Sequence, residues 1–309
     1  MTTLAAVARA VRDTNAQISR MEREISANPH EKGLLINLSA LQKRLKNLEA
    51  QFAELSNRDF LDVCDYRLIP SFGESYPISA VGSVLVAFQS MVSVILESIK
   101  HGPKLRARIS PDVASMSSLD FAYTFQGSLG FTLTVPNERL LAVSSELDMA
   151  IESAFQLALA QETSDIAALA RKIGVASVRT AYIWAQAHAK HQMSAEIDWK
   201  RGKIVRNHTF LETTQLEKVT RLIEQTSEVT EEPMTLRGTL VAINTSARTF
   251  QFVPIDGDEI RGSISENVSF FPPFSVPAAA VVNLVKRTQV LYSIEKDEIS
   301  WVMTGRETP

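Results

Sequence analysis

The chain has 309 residues, 45% of them apolar and 22% charged, as in an ordinary globular protein. At roughly 150 residues per domain, this length predicts about two domains. With 32 basic and 35 acidic residues the net charge is −3, which argues against a globally basic nucleic-acid binder. Cys64 is the single cysteine, which excludes an internal disulfide and favours a cytoplasmic protein.

The apolar segments are short. The first residues contain no apolar stretch of signal-peptide length, because Arg9 and Arg12 interrupt it. The longest apolar segment, 78–95, contains several serines, and we predict a buried helix there and no membrane span.

Two heptad patterns occupy the first 58 residues and predict an antiparallel coiled-coil hairpin. The first seam is Leu4, Val7, Val11, Thr14, Ile18, Met21 and Ile25. The second seam, which we assign to oligomerisation, is Leu34, Leu38, Leu41, Leu45, Leu48, Phe52 and Leu55. Asn28 and Pro29 separate them and favour a turn. Leu35 and Ile36 widen the second apolar stripe, so we expect further helices to pack there. These helices come either from another subunit or from the rest of this chain, and in the second case the hairpin would brace the next domain.

The remaining patterns predict an α+β protein with a mixed α/β middle domain and a small C-terminal β-barrel. The predicted domains are 1–58, 59–228 and 229–309, with the polar segment 227–233 as the second boundary. The tail has a period of two, which predicts an SH3-like or OB-like barrel. Its candidate strands are 235–244, 248–255, 259–264, 279–287, 288–295 and 298–304. The aromatic loop 270–277 is predicted to cap the barrel, with an exposed recognition surface as the alternative.

The segment Glu196-Ile-Asp198-Trp-Lys200 carries the most specific enzymatic hypothesis. On a strand, Glu196, Asp198 and Lys200 point to the same face. Carboxylates beside a lysine can hold Mg²⁺ and position water for phosphodiester hydrolysis. Over these five positions the spacing resembles the D-x-K element of PD-(D/E)xK nucleases, with Asp112 as the upstream partner. The alternative is an ordinary solvated strand face.

A local basic run offers a second hypothesis, contact with nucleic acid. Four cations could contact phosphates while an aromatic ring stacks on a base. The residues are Trp199, Lys200, Arg201, Lys203 and Arg206. Basic runs are also common on solvated surfaces that bind nothing.

Other reactive residue types give little chemistry. His188 and His191 lie three apart on a predicted helix and could ligate a metal with His208 or Asp198, but such pairs are usually only polar surface residues. We therefore predict no metal and no cofactor. Cys64 lies in a predicted strand and is interpreted as a small core residue.

Two functions follow as hypotheses. The first is a non-catalytic, homo-oligomeric assembly or sensor protein that binds a protein or nucleic-acid partner. Its three-part organisation resembles accessory components of bacterial multi-protein systems, phage-defence systems among them, although no motif carries that resemblance. The alternative is a metal-dependent phosphodiesterase that uses Glu196, Asp198 and Lys200.

Overall fold

A computed structural model describes residues 3–73, 75–125, 128–137, 144–268, 275–295 and 297–307. The chain forms two compact units, Met1–Gln225 and Thr226–Pro309. Helices and strands are mixed in the first unit and each unit contains one sheet, so the predicted α+β class is confirmed.

The N-terminal unit begins with a helical hairpin. Helix α1 spans Leu4–Ala27 and α2 spans Lys32–Arg58, and the two pack against each other. The side chain of Thr3 accepts a hydrogen bond from the backbone of Ala6 and so caps α1. The base of this hairpin lies on the sheet, because α1 contacts the strand at 120–125 and α2 contacts the strand at 61–70.

Five antiparallel strands form the sheet of this unit. In chain order they are β1 Leu61–Pro70, β2 Asp120–Phe125, β3 Leu129–Pro136, β4 Met193–Arg201 and β5 Ile204–Leu211. Their order across the sheet is β2-β3-β1-β4-β5. The sequence patterns predicted strands at Cys64 and at residues 196–200, which lie in β1 and β4. They missed β5, whose polar centre lacks a regular alternation and which follows β4 after a tight turn at Gly202, where φ is +57°.

Six helices complete the unit. They are α3 Ile78–His101, α4 Pro111–Met116, α5 Glu146–Ala158, α6 Thr163–Ile173, α7 Val175–Lys190 and α8 Thr213–Glu224. Ser145 and Asp148 form the capping box of α5. The core includes Tyr66 and Trp199 from the sheet and Phe88 and Trp184 from α3 and α7, all of them buried.

Helix α3 is long and apolar enough to cross a membrane by length and composition alone. Half of its most apolar stretch is buried inside the unit, where α3 packs against α5 and α7. The helix predicted at 78–95 is therefore present and partly buried.

The C-terminal unit contains β6 Ser227–Asn244, β7 Thr249–Pro254, β8 Ile260–Ile264, β9 Ala278–Leu291 and β10 Glu298–Glu307. The strand order is β10-β8-β7-β6-β9, and β10 pairs with both β8 and β9. Its apolar core includes Leu240, Phe252, Val282 and Leu284. The SH3-like or OB-like type stays a prediction. Residues 269–274, which include most of the predicted aromatic cap, lie outside the described residues.

Two details of the C-terminal unit differ from the sequence prediction. The predicted strands 279–287 and 288–295 are one strand through Leu291, and the polar segment 227–233 is the start of β6 instead of a break. These two stretches pair with each other, Ser227 opposite Leu291 and Pro233 opposite Val285. Residues 227–233 are exposed, so this part of β6 needs no apolar alternation and looks like a loop in sequence.

Candidate functional site: a charged cleft and the hairpin beside it

Side chains alternate along β4, so successive residues lie on opposite faces of the sheet. Ile197 and Trp199 are buried on the face that carries the core helices. Glu196, Asp198 and Lys200 lie on the other face, as the alternation predicted, and all three line a cleft of about 560 Å³. The cleft is lined by residues of the open sheet face and of the α1–α2 hairpin, and we call it the charged cleft.

A row of polar residues crosses all five strands at the charged cleft. The pairing register places Tyr123 opposite Thr132, Thr132 opposite Asp65, Asp65 opposite Asp198, and Asp198 opposite His208. The Thr132 hydroxyl donates to Asp65 over 2.6 Å, and Nδ1 of His208 lies 2.6 Å from Oδ1 of Asp198. Because a carboxylate only accepts, this histidine nitrogen is the donor.

The Lys200 ammonium is held between two carboxylates of this row. Its Nζ lies 2.5 Å from Asp65 and 3.5 Å from Asp198. Burial alone would lower the pKa of Lys200, but the two aspartates raise it above its usual value. One cation is thus shared by two carboxylates. No group of three or more His, Cys, Asp or Glu residues suited to a metal ion occurs in the part of the chain that the structure describes.

A second row crosses the sheet beside the first. Arg67 pairs with Glu196 at 3.0 Å, and its guanidinium carbon lies 5.1 Å from the centre of the Phe125 ring. The Phe125 ring lies over Gly130, where an added Cβ would come within 2.4 Å of it. Glycine at 130 therefore lets the ring reach across β3 to Arg67. Phe210, opposite Glu196 on β5, is 51% exposed.

The hairpin contributes two polar residues that sequence reasoning missed. Glu49 of α2 lines the cleft and makes no hydrogen bond or ion pair within the described residues. Burial and the nearby Asp65 raise its pKa, and Lys200 offsets part of that rise. Asn15 of α1 is only 8% exposed, and its Nδ2 donates to the Thr124 carbonyl over 2.9 Å. Its Oδ1 is buried and has no donor among the described residues. In the sequence, Asn15 follows the seam residue Thr14 and Glu49 follows the seam residue Leu48. The heptad pattern does not reveal that this side of the hairpin faces a sheet.

The proposed upstream partner, Asp112, was wrong. It lies near the start of α4 and pairs with Lys100 at 2.7 Å. Asp65 occupies the position beside Asp198 instead, because β1 is the direct neighbour of β4. The sequence separation between β1 and β4 hides this pairing from local pattern reading.

The nucleic-acid hypothesis loses its stacking residue. Trp199 is 2% exposed and donates to Asp62 over 3.1 Å on the core face, so it offers no ring to a base. Arg201 is also on that face and pairs with Asp62 at 3.0 Å. Lys200 is bound between aspartates, and Lys203 pairs with Glu54 at 2.6 Å in an exposed contact. Arg206 is exposed on β5.

His188 and His191 do not form a metal site with each other. His188 is fully buried, with Nδ1 2.8 Å from the Met193 carbonyl and Nε2 2.6 Å from the Tyr66 hydroxyl. His191 follows the last residue of α7. Cys64 is buried as predicted, and burial raises the pKa of its thiol.

The predicted oligomerisation seam divides into two halves. Phe52 belongs to a buried apolar cluster with Val63 and Tyr123 of the sheet, and Leu45, Leu48 and Leu55 are partly buried and pack against it, so this half braces the unit from within. Leu34, Leu38 and Leu41 are also partly buried, but they do not pack against that cluster. Beside them, Leu35 is 49% exposed and Ile36 is 71% exposed. We call residues 18–41, the end of α1 and the start of α2, the distal hairpin.

Comparisons of the chain with protein-family models, with curated proteins and with solved structures found no match.

Proposed function

We propose that this protein is a non-catalytic assembly protein. Its chains associate with one another through the distal hairpin, and the assembly binds a protein partner. The observation that carries this proposal is the apolar exposure at the start of α2, with Leu35 and Ile36 both outside the hairpin's own seam. Two antiparallel helices bury only the stripe between them. A second hairpin laid against this flank would cover the rest and form a four-helix, coiled-coil arrangement.

The chemistry of the charged cleft favours binding over catalysis. Its ammonium and guanidinium groups are bound to carboxylates of the same face, Lys200 to Asp65 and Arg67 to Glu196. A metal-dependent phosphodiesterase would need those carboxylates free to hold a cation. The shared location of Glu196, Asp198 and Lys200 is the one observation in favour of that alternative.

A protein partner is favoured over a nucleic acid by the distribution of charge. The stacking residue of the predicted basic patch is buried and Arg201 is paired with Asp62. The cleft beside that patch carries more carboxylates than cations, with Glu49, Asp65, Glu196 and Asp198 against Arg67, Lys200 and Lys203. Phosphates bind where positive charge is in excess.

Light scattering on the full chain tests the assembly proposal. We expect the wild-type protein to have a defined mass that is a multiple of 34.2 kDa, unchanged by short DNA or RNA. The double variant Leu35→Glu, Ile36→Glu should have the mass of a single chain, because it places two charges in the proposed contact. The matched control is Phe72→Glu with Ile78→Glu, two residues 81% and 90% exposed outside the hairpin, which should keep the wild-type mass.

Two results would contradict the proposal. A wild-type chain that is monomeric at all concentrations tested would show that the distal hairpin does not self-associate. An oligomer that survives the change at Leu35 and Ile36 would place the contact elsewhere. Circular dichroism of each variant distinguishes lost association from lost folding.

A further inference from the structure

We propose that the charged cleft binds a cationic hydrogen-bond donor, a guanidinium or alkylammonium group, among Glu49 and Asn15 of the hairpin and Asp65 of the sheet. This site goes beyond the assembly role, since it lies at the base of the hairpin and not in the distal hairpin. The ligand class follows from two independent features, an uncompensated negative charge and a buried acceptor that lacks a donor.

The uncompensated negative charge becomes evident when each charged side chain that lines the cleft is matched with its ion-pair partner. Arg67 is engaged with Glu196, and Lys200 with both Asp65 and Asp198. Lys203 turns to Glu54, which does not line the cleft. Glu49 is then left without an ion pair among the described residues. A partly buried carboxylate without a partner is unfavourable, and a bound cation removes that cost.

Asn15 provides the second feature. It is more than nine-tenths buried and lines the same cleft. Its amide nitrogen donates to the Thr124 carbonyl, whereas Oδ1 has no donor in the part of the chain that the structure describes. Buried polar atoms nearly always have a hydrogen-bond partner, so an orphaned acceptor at a cleft indicates a donor that arrives from outside the chain.

The surroundings suit a cation with several donors. Lys200 engages Asp65 through a single oxygen, Oδ2, and Thr132 donates to the other, Oδ1, so this carboxylate can still accept further bonds through its remaining lone pairs. Phe52 and Tyr123 also line the cleft, with ring centres 5.1 Å apart. Their apolar rings lower the local dielectric constant and strengthen charge-assisted hydrogen bonds. A planar guanidinium, with five donors, can serve more than one of these oxygens at once.

Calorimetric titration of the full chain tests the site with matched probes. The probes are agmatine, a free small guanidine, and the peptide acetyl-Gly-Arg-Gly-amide. The control peptide carries citrulline, a neutral urea of nearly the same shape, in place of arginine. We expect agmatine or the arginine peptide to bind at least about tenfold more tightly than the neutral citrulline peptide. Hydrogen bonds to charged groups contribute about 1.5–3 kcal/mol each.

Two variants localise the binding. Glu49→Gln keeps the shape and removes the charge, and should weaken the binding at least about tenfold. Asp59→Asn is the control, because Asp59 and its ion-pair partner Arg58 both lie outside the cleft, and should bind as wild type does. Binding of agmatine alone would identify a small-molecule ligand, and binding of the peptide alone would identify an arginine side chain of a partner.

The inference is overturned if neither guanidinium probe binds the folded wild-type chain. It is also overturned if the citrulline peptide binds as well as the arginine peptide, or if Glu49→Gln and Asp59→Asn behave alike. None of these results depends on the mass measured for the distal-hairpin variants. Failure of the cleft site and failure of the assembly proposal are therefore distinguishable.

Discussion

Replacing Asp62 with alanine is expected to lower the free energy of unfolding of the N-terminal unit by about 3–5 kcal/mol. Asp62 is fully buried and accepts hydrogen bonds from at least three side chains of the described residues. Asn137 donates over 2.7 Å, Trp199 over 3.1 Å, and Arg201 through Nε and Nη2 over 3.0 and 3.1 Å. Removing the carboxylate leaves a mostly buried guanidinium short of its main partner and an indole N–H without an acceptor.

Chemical denaturation followed by far-ultraviolet circular dichroism measures this loss, because every helix in the described residues lies in the N-terminal unit. The matched control is Asp59→Ala, three residues earlier. Asp59 is exposed and pairs with Arg58 at 3.0 Å, so its loss should change the free energy by less than about 1 kcal/mol. Equal effects of the two changes would show that the Asp62 network contributes no more than a surface ion pair.

Local patterns predicted the parts of this protein that local geometry determines. The heptads predicted the two hairpin helices, and the period of two predicted the shared face of Glu196, Asp198 and Lys200. The same alternation, applied to the neighbouring residue, would have placed Trp199 on the opposite face. It was instead grouped with the basic run, although a strand cannot present adjacent residues to one surface.

The residues that the sequence did not reveal depend on strand pairing over long separations. Asp65 meets Asp198, and Asp62 meets Arg201, only because β1 lies beside β4. One signal for Asp62 was present. It is a lone charge among the even-numbered residues of β1, where Cys64, Tyr66 and Leu68 are apolar and buried. A charge on a buried face requires a partner, but the sequence did not name it.

Acidification is expected to destabilise the N-terminal unit through His188, in the pH range from about 6.5 down to about 4. Burial lowers the pKa of His188 from 6.5 to about 4, and nearby His191 adds to this effect while the Met193 carbonyl opposes it. Since a carbonyl only accepts, Nδ1 carries the proton and Nε2 accepts from the Tyr66 hydroxyl. That hydroxyl accepts from Trp184 over 2.8 Å, so the neutral imidazole satisfies the whole cluster.

The sign follows from proton binding. Between these two pKa values the unfolded chain binds a proton at His188 that the folded chain does not, so stability rises with pH through the window. The stabilisation is complete above pH 6.5 and declines as the pH falls toward 4. A shift of this size corresponds to about 3 kcal/mol, at roughly 1.4 kcal/mol for each pKa unit.

Unfolding free energies of the wild type and of His188→Gln, compared across this range, isolate the contribution. Glutamine does not titrate, so the stability advantage of the wild type over His188→Gln should shrink as the pH falls. Other acid-sensitive groups, such as buried Glu97, are common to both proteins and cancel. Burial would raise the pKa of Glu97, but hydrogen bonds from Lys104 and Ser110 hold it at about 2. A difference between wild type and His188→Gln that stays constant from pH 7 to pH 4 would mean that His188 titrates alike in the folded and unfolded chains, contrary to its buried, fully bonded position.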